Sequence, residues 1–179
     1  MALAKIDPGI LFCECQKGAT IGSMFPHPKI VAFLQNDRWR LIEGNCDDGR
    51  FFLRFRIPVL GIPVTTGYFH VLTIVWDYGP GNSGALPTTA DSEEMEEFEN
   101  RFCDAVEHDA TALLTAVLTL DGSRQWVFYT SDVQACSERL QNIPQNAEPY
   151  PIELNTEEDP EWAYLHENIL LLVPKKDWK

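Results

Sequence analysis

The chain predicts an α+β fold with helices on one face of an antiparallel sheet, and three features between Phe69 and Asn155 predict it. A strand that is apolar on both faces opens this stretch and an acidic helix follows it. An Asp-Gly turn then joins two strands that lead through a short helix to a last strand. In that order the elements form a split βαβ unit repeated once, the ferredoxin-like βαββαβ antiparallel sandwich. The predicted organisation is a single domain over 1–179, with an N-terminal β extension at 1–68, the ferredoxin-like core at 69–155, and a C-terminal helix and tail at 156–179.

Residues 1–37 carry only short strand signals, at Ile10–Cys15 and Ile30–Leu34, around a loop with Pro26, His27 and Pro28. Arg38–Glu43 and Phe51–Arg56 are apolar–polar runs around Gly44-Asn45-Cys46-Asp47-Asp48-Gly49, which predicts a hairpin. The next stretch carries Pro58, Gly61, Pro63 and Gly67, breakers that suit a connection or an irregular edge. Phe69–Trp76 is the clearest strand. Phe69, Val71 and Val75 share one face and Leu72, Ile74 and Trp76 the other, the pattern of a central strand covered on both sides. The two helices of the sandwich cover only one face, so the N-terminal third is expected to pack on the other or to extend the sheet.

Beyond the loop Gly79–Ala90, Asp91 with Glu94 three residues on is a capping-box pattern, and Met95, Phe98, Phe102 and Val106 recur at helical steps. Ala112–Leu120 and Gln125–Ser131 flank Asp121-Gly122-Ser123-Arg124, where Asp-Gly supplies the positive φ angles of a tight turn. Asp132 caps a short helix that turns Val133, Cys136 and Leu140 inward. Pro149–Asn155 is a strand interrupted by Pro151 and hence an edge. Asp159-Pro160 reads as an N-cap followed by Pro at the first helical position, opening a helix to about Leu171.

At 179 residues a chain can bury about 70% of its unfolded surface without staples. Hydrophobic content of 45%, with no run of eighteen apolar residues, predicts a soluble protein with no membrane partner. The N-terminus MALAKIDPGILFCEC lacks the apolar core and cleavage site of a signal peptide, so a cytoplasmic location is expected. Cys13, Cys15, Cys46, Cys103 and Cys136 are odd in number and scattered, the pattern of reduced structural thiols. Cys13 and Cys15 are spaced wrongly for a zinc knuckle, and no metal site is expected. Charge is uneven: residues 1–60 hold 8 Lys/Arg against 6 Asp/Glu, whereas 61–179 hold 6 against 21, a local balance of −15. That sign repels phosphate backbones, which argues against direct nucleic-acid binding and for a protein partner with a basic surface.

Four signatures in this frame resemble a known family. They are Trp76-x-Tyr78, Leu86-Pro87 before the acidic helix, Gly122-x-Arg124-x-Trp126-x-Phe128-Tyr129, and Asp159-Pro160-Glu161-Trp162-x-Tyr164. In this order they are similar to the bacterial domain-of-unknown-function family 695, over roughly residues 38–170. The resemblance implies no established activity. It also brings a link to relatives joined to a domain like regulator B of ribonuclease E, a small acidic ferredoxin-like protein that acts by binding an enzyme. By that analogy a protein-binding regulator is expected, on an associational warrant.

Trp76, Trp126, Phe128 and Tyr129 suit either a ligand pocket or a core, and aromatics on adjacent central strands are more often core. Asp159 and Trp162 are accounted for as a cap and an anchoring ring, and Tyr164 shares their motif. Glu93, Glu94, Glu96, Glu97 and Glu99 exceed what the helix dipole needs, and like charges three and four apart repel, so they are the candidate partner-binding residues. On the hairpin, Arg40 opposite Arg54 would set Arg38 facing Arg56. Those four guanidiniums would share a sheet face and need an anion or carboxylates between them. A one-residue slip puts Arg40 opposite Leu53 instead, so the register decides whether these arginines form an anion site.

No catalytic residues and no cofactor are predicted. His27, His70, His108 and His166 are widely separated, and Gly81-Asn82-Ser83-Gly84 lacks the glycine pattern of a nucleophile elbow. The leading expectation is a non-catalytic acidic module that binds a basic protein surface, as an enzyme inhibitor would. One alternative is an immunity-type inhibitor of a basic toxin. The other is a small-molecule or anion-binding protein, or an enzyme, using the aromatic strands and the arginine hairpin. A deep pocket joining Arg40 or Arg54 to Trp76 or Trp126 would favour this last reading.

Overall fold

The structure, a computed structural model, describes residues 28–47, 49–57, 67–79 and 86–173. The elements in chain order are helix α1 (Pro28–Gln35), strands β1 (Trp39–Cys46), β2 (Gly49–Arg56) and β3 (His70–Asp77), helix α2 (Thr89–Glu107), strands β4 (Ala112–Leu120) and β5 (Ser123–Thr130), helix α3 (Val133–Asn142) and strand β6 (Ile152–Glu158). A π-helical turn (Leu165–Ile169) and a 3-10 turn (Leu170–Leu172) follow. The six strands form one antiparallel sheet in the order β1-β2-β4-β5-β3-β6, which makes the fold α+β.

Both faces of that sheet are covered, as the two apolar faces of β3 require. On one face Leu72, Ile74, Trp76, Ala112, Leu114, Trp126 and Phe128 pack against Met95, Phe98, Phe102 and Val106 of α2 and Cys136 of α3. Burying each large apolar side chain stabilises by about 1.5–3 kcal/mol. On the other face Phe51, Leu53, Phe55, Val71, Leu113, Val127 and Tyr129 meet Ile30 and Phe33 of α1 together with Trp162, Leu165, Ile169 and Leu170. Within the described residues of the N-terminal part, β1 and β2 widen the sheet, and α1 helps to cover its second face. A bulge between Leu114 and Ala116 keeps β4 serving both cores. The extra residue, Thr115, is buried and donates its hydroxyl to the Val127 carbonyl at 2.8 Å.

Several local expectations are corrected. Ile30–Leu34 is helix, not strand, because Pro28 occupies a first helical position and Ile30 and Phe33, three apart, are the buried pair. Helix α2 begins two residues before Asp91. Thr88 is its N-cap, and Asp91 sits at the third helical position, closing a reciprocal capping box. Its inward residues are those expected, as are the Asp132 cap of α3 and the positive φ of Asp121 and Gly122. Strand β6 is an edge but starts after Pro151, which has no N–H to give the ladder. The expected strand at Ile10–Cys15 and most of the Pro58–Gly67 connection lie outside the described residues.

The C-terminal segment differs most. Asp159 is not followed by a helix at Pro160. Trp162 takes a left-handed φ of 58°, and helix begins only at Ala163. That conformation is unfavourable for a bulky residue by about 1–2 kcal/mol, and the contacts of its ring offset it. The indole lies 4.0 Å from the Tyr129 ring at 15°, and its Nε1 donates to the Tyr68 carbonyl at 2.9 Å.

Candidate functional site

The β1–β2 hairpin sets the charged surface. Cys46 pairs with Gly49, so only two residues separate the strands, and Gly49, the first residue of β2, takes a positive φ that suits glycine. The resulting register places Arg40 opposite Phe55, Arg54 opposite Leu41 and Arg56 opposite Trp39. Neither anticipated pairing occurs. Arg40 shares a face with the buried Phe55, away from Arg54 and Arg56, and Arg38 precedes the strand and bonds Asn36. The four-guanidinium face is therefore not formed.

A different basic stripe forms on β2, and carboxylates neutralise it. Arg50 pairs with Glu43, Arg54 with Glu99, and Arg56 with Glu107 at 2.8 Å. Trp39 lies between Arg54 and Arg56, with its ring 4.6 Å and 5.0 Å from their guanidinium carbons. Phe33 sits 5.2 Å from Arg56. Arg56 is only 5% exposed, and its Nε and Nη1 are buried without a hydrogen-bond partner among the described residues. Glu107 holds Arg56 with one oxygen and accepts the Leu114 backbone N–H with the other. Burial, with Glu107 and Glu99 nearby, pushes the Cys103 thiol well above its usual range.

Because β1 and β2 extend the sheet beyond α2, an open groove of about 450 Å³ lies beside that helix. Leu41, Phe52 and Val117 give it apolar surface, while Arg54, Arg124, Glu96 and Glu99 give it charge. Glu99 is half-buried and fully engaged, accepting from Arg54 and from Trp126 Nε1 at 2.9 Å. Arg124 donates Nε to the Thr119 hydroxyl at 3.1 Å, and its two Nη atoms hydrogen-bond nothing among the described residues. Burial lowers the Arg124 pKa, an effect that Glu99 opposes. Arg54 borders the groove, but Arg40, Trp76 and Trp126 do not.

The five predicted glutamates divide. Glu99 turns to the sheet. Glu93, Glu96 and Glu97 are exposed and Glu94 is half-buried, and all four border a shallow hollow with Arg101, Asp104 and Asn146. Glu97 is bound by Arg101 and by Asn146 Nδ2 at 3.1 Å. The carboxylates of Glu93, Glu94 and Glu96 have no hydrogen bond or ion pair among the described residues. At the far end of α2, Arg139 of α3 grips Asp109 through two bonds of 2.7 and 2.6 Å, which holds that carboxyl well below the usual range.

Of the signature aromatics, Trp76, Trp126, Phe128, Tyr129 and Trp162 are buried in the two cores. Trp76 packs on Phe98 and Tyr150, with ring centres 6.1 and 5.7 Å apart, and Trp126 is wholly buried against Phe98. Tyr129 lies on the opposite face. It donates to Asp159 Oδ2 at 2.6 Å and accepts from the Leu165 N–H, while burial and the Asp159 carboxylate hold its hydroxyl protonated far above the usual tyrosine range. Asp159 also accepts from the Ala163 and Tyr164 backbone N–H groups, and the Tyr164 hydroxyl accepts from Gln125. Tyr78 is half-exposed, and burial raises its hydroxyl pKa while Arg124 opposes that shift. Of the signature residues singled out from the sequence, Arg124 alone lines the groove. Glu107, Arg50 and Trp39 were not anticipated, since only the hairpin register and contacts across some fifty residues of chain bring them together.

These features define an α+β protein with a mixed-charge groove on one sheet face and an acidic helix bordering it. Residues 37–170 match the family described as "Family of unknown function (DUF695)", and the chain belongs to that family. No curated protein and no solved structure matches it. Among the described residues no helix is long and apolar enough to cross a membrane, and no three His, Cys, Asp or Glu converge as a metal site would require.

Proposed function

We propose that this chain is a non-catalytic, cytoplasmic regulatory module that binds a basic protein surface through the outer face of α2, in the manner of an enzyme inhibitor. The observation that carries this reading is the charge left over after internal pairing. Residues 86–173 hold 19 Asp and Glu against 3 Arg, a balance of −16, and two of those arginines are committed to Glu97 and Asp109. Glu93 and Glu94 stand unpaired on the helix among the described residues, beside Glu97, and a basic partner relieves their mutual repulsion. We read the chain as one domain, with β3-α2-β4-β5-α3-β6 as its ferredoxin-like unit. The strand order β4-β5-β3-β6, with a helix on each crossover, supports that reading.

The test is capture of partners by the full chain across a salt series. Retention of a specific protein is expected to fall steeply between about 50 and about 500 mM salt, as the screening length shortens from about 14 Å to about 4 Å. Recovery of no specific partner, or retention indifferent to salt, contradicts the proposal.

A further inference from the structure

The groove beside α2 holds two charges of each sign, but they are not equally available. Arg54 and Glu99 hold one another, and Glu99 also accepts from Trp126. Arg124 and Glu96 attract one another through space but form no bond: the guanidinium presents two Nη atoms with no acceptor among the described residues, and the carboxylate has no donor there. A half-buried guanidinium is stabilised by a carboxylate that takes its fork in two parallel bonds. A multiply charged anion entering here meets Glu96 and Glu99, and a bare cation meets Arg54 and Arg124. A net-neutral molecule with one charge of each sign meets neither penalty. The apolar surface of Leu41, Phe52 and Val117 accommodates a hydrocarbon side chain, and about 450 Å³ lies within the range of small-molecule sites. The hollow continues for about 290 Å³ toward Leu86 and Pro87.

We propose that this groove binds a small zwitterion, an α-amino acid or dipeptide with an apolar side chain, with its carboxylate on Arg124 and its ammonium on Glu96. The Nε bond to Thr119 fixes the guanidinium plane and leaves the Nη edge for the ligand. Ser92 and Asn100, on the same wall, supply further hydrogen-bonding groups. Glu96 borders both this groove and the hollow of Glu93, Glu94 and Glu97, so the two proposals are told apart by variants that touch one site each: Arg124→Gln for the groove, and Glu93, Glu94 and Glu97 changed together to Gln for the partner face.

The test is calorimetry and thermal unfolding of the full chain with apolar amino acids, apolar dipeptides, their N-acetyl derivatives, the corresponding amines, and inorganic phosphate. An intact zwitterion is expected to raise Tm by about 3 °C at about ten times its Kd. The N-acetyl compounds and amines, each lacking one charge, are expected to bind at least about tenfold more weakly. Whichever of the amino-acid and dipeptide series binds reports the charge spacing that Arg124 and Glu96 accept. Arg124→Gln and Glu96→Gln are each expected to weaken binding at least about tenfold, while Arg38→Gln, outside the groove, leaves it unchanged. Glu96 is exposed on a helix, so its variant keeps the test decisive even where Arg124→Gln does not fold. The proposal is overturned by no zwitterion binding below about 10 mM, by phosphate binding more tightly than the zwitterions, or by Glu96→Gln binding like the unaltered chain.

Discussion

Replacing Asp159 by alanine is expected to destabilise the protein by about 3 kcal/mol, because one carboxylate satisfies three donors. These are the Tyr129 hydroxyl at 2.6 Å and the Ala163 and Tyr164 N–H groups at 2.7 and 2.9 Å. Hydrogen bonds to a charged acceptor are each worth about 1.5–3 kcal/mol, and water reaching the turn recovers part of the loss. The consequence extends past the turn, since Leu165, Ile169, Leu170 and Val173 belong to the core on that face and depend on the chain direction that Asp159 sets. Tyr129→Phe removes one of these bonds together with the one its hydroxyl accepts from the Leu165 N–H, and is expected to destabilise by about 2 kcal/mol. Denaturant unfolding checks the order of the two variants. Equal effects, or an alanine variant within about 0.5 kcal/mol of the unaltered chain, would mean that the Asp-Pro-Glu-Trp signature does not dock this segment.

Phe98→Ala is expected to cost about 4 kcal/mol, the middle of the range for emptying a buried aromatic site. Phe98 is 0% exposed and lies where α2 crosses the sheet. Its ring centre is 5.0 Å from that of Trp126, 5.1 Å from Tyr150 and 6.1 Å from both Trp76 and Phe102. Its removal takes away four aromatic contacts at once and leaves a cavity that strand backbones on one side and the capped helix on the other cannot close. Phe69→Ala is the contrast. Phe69 is 42% exposed, and its loss is expected to stay within about 1 kcal/mol. Thermal or urea unfolding distinguishes the two, and a Phe98→Ala variant losing less than about 2 kcal/mol contradicts this packing.

What was legible in the sequence is what one element records by itself. Strand β3 shows its two buried faces in its own alternation, α2 shows its core side in the spacing of Met95, Phe98, Phe102 and Val106, and Asp121-Gly122 announces its turn through backbone angles that few residues adopt. What stayed hidden depends on relations between elements. The hairpin register shifted because β1 continues through Gly44, Asn45 and Cys46, residues that read as turn. That shift moved Arg40 away from Arg54 and brought Trp39 between Arg54 and Arg56. Glu99 counted with its acidic neighbours until the sheet beneath it supplied Arg54 and Trp126 as partners. Asp159-Pro160 matched a helix start locally, but the stacking of Trp162 on Tyr129, thirty-three residues earlier in the chain, displaced that start to Ala163.

The central claim is a division of labour, with conspicuous aromatics holding the frame together and the outward glutamates of α2 meeting the partner. One variant tests it most directly: Glu93, Glu94 and Glu97 changed together to Gln, measured for unfolding free energy and for retention of the salt-sensitive partner. Glu97 forfeits an exposed ion pair with Arg101, worth about 0.5 kcal/mol, while repulsion among the glutamates is relieved by a similar amount. Stability is therefore expected to stay within about 1 kcal/mol of the unaltered chain, and partner retention to fall at least about tenfold. A stable variant that holds its partner as firmly as before would contradict the account.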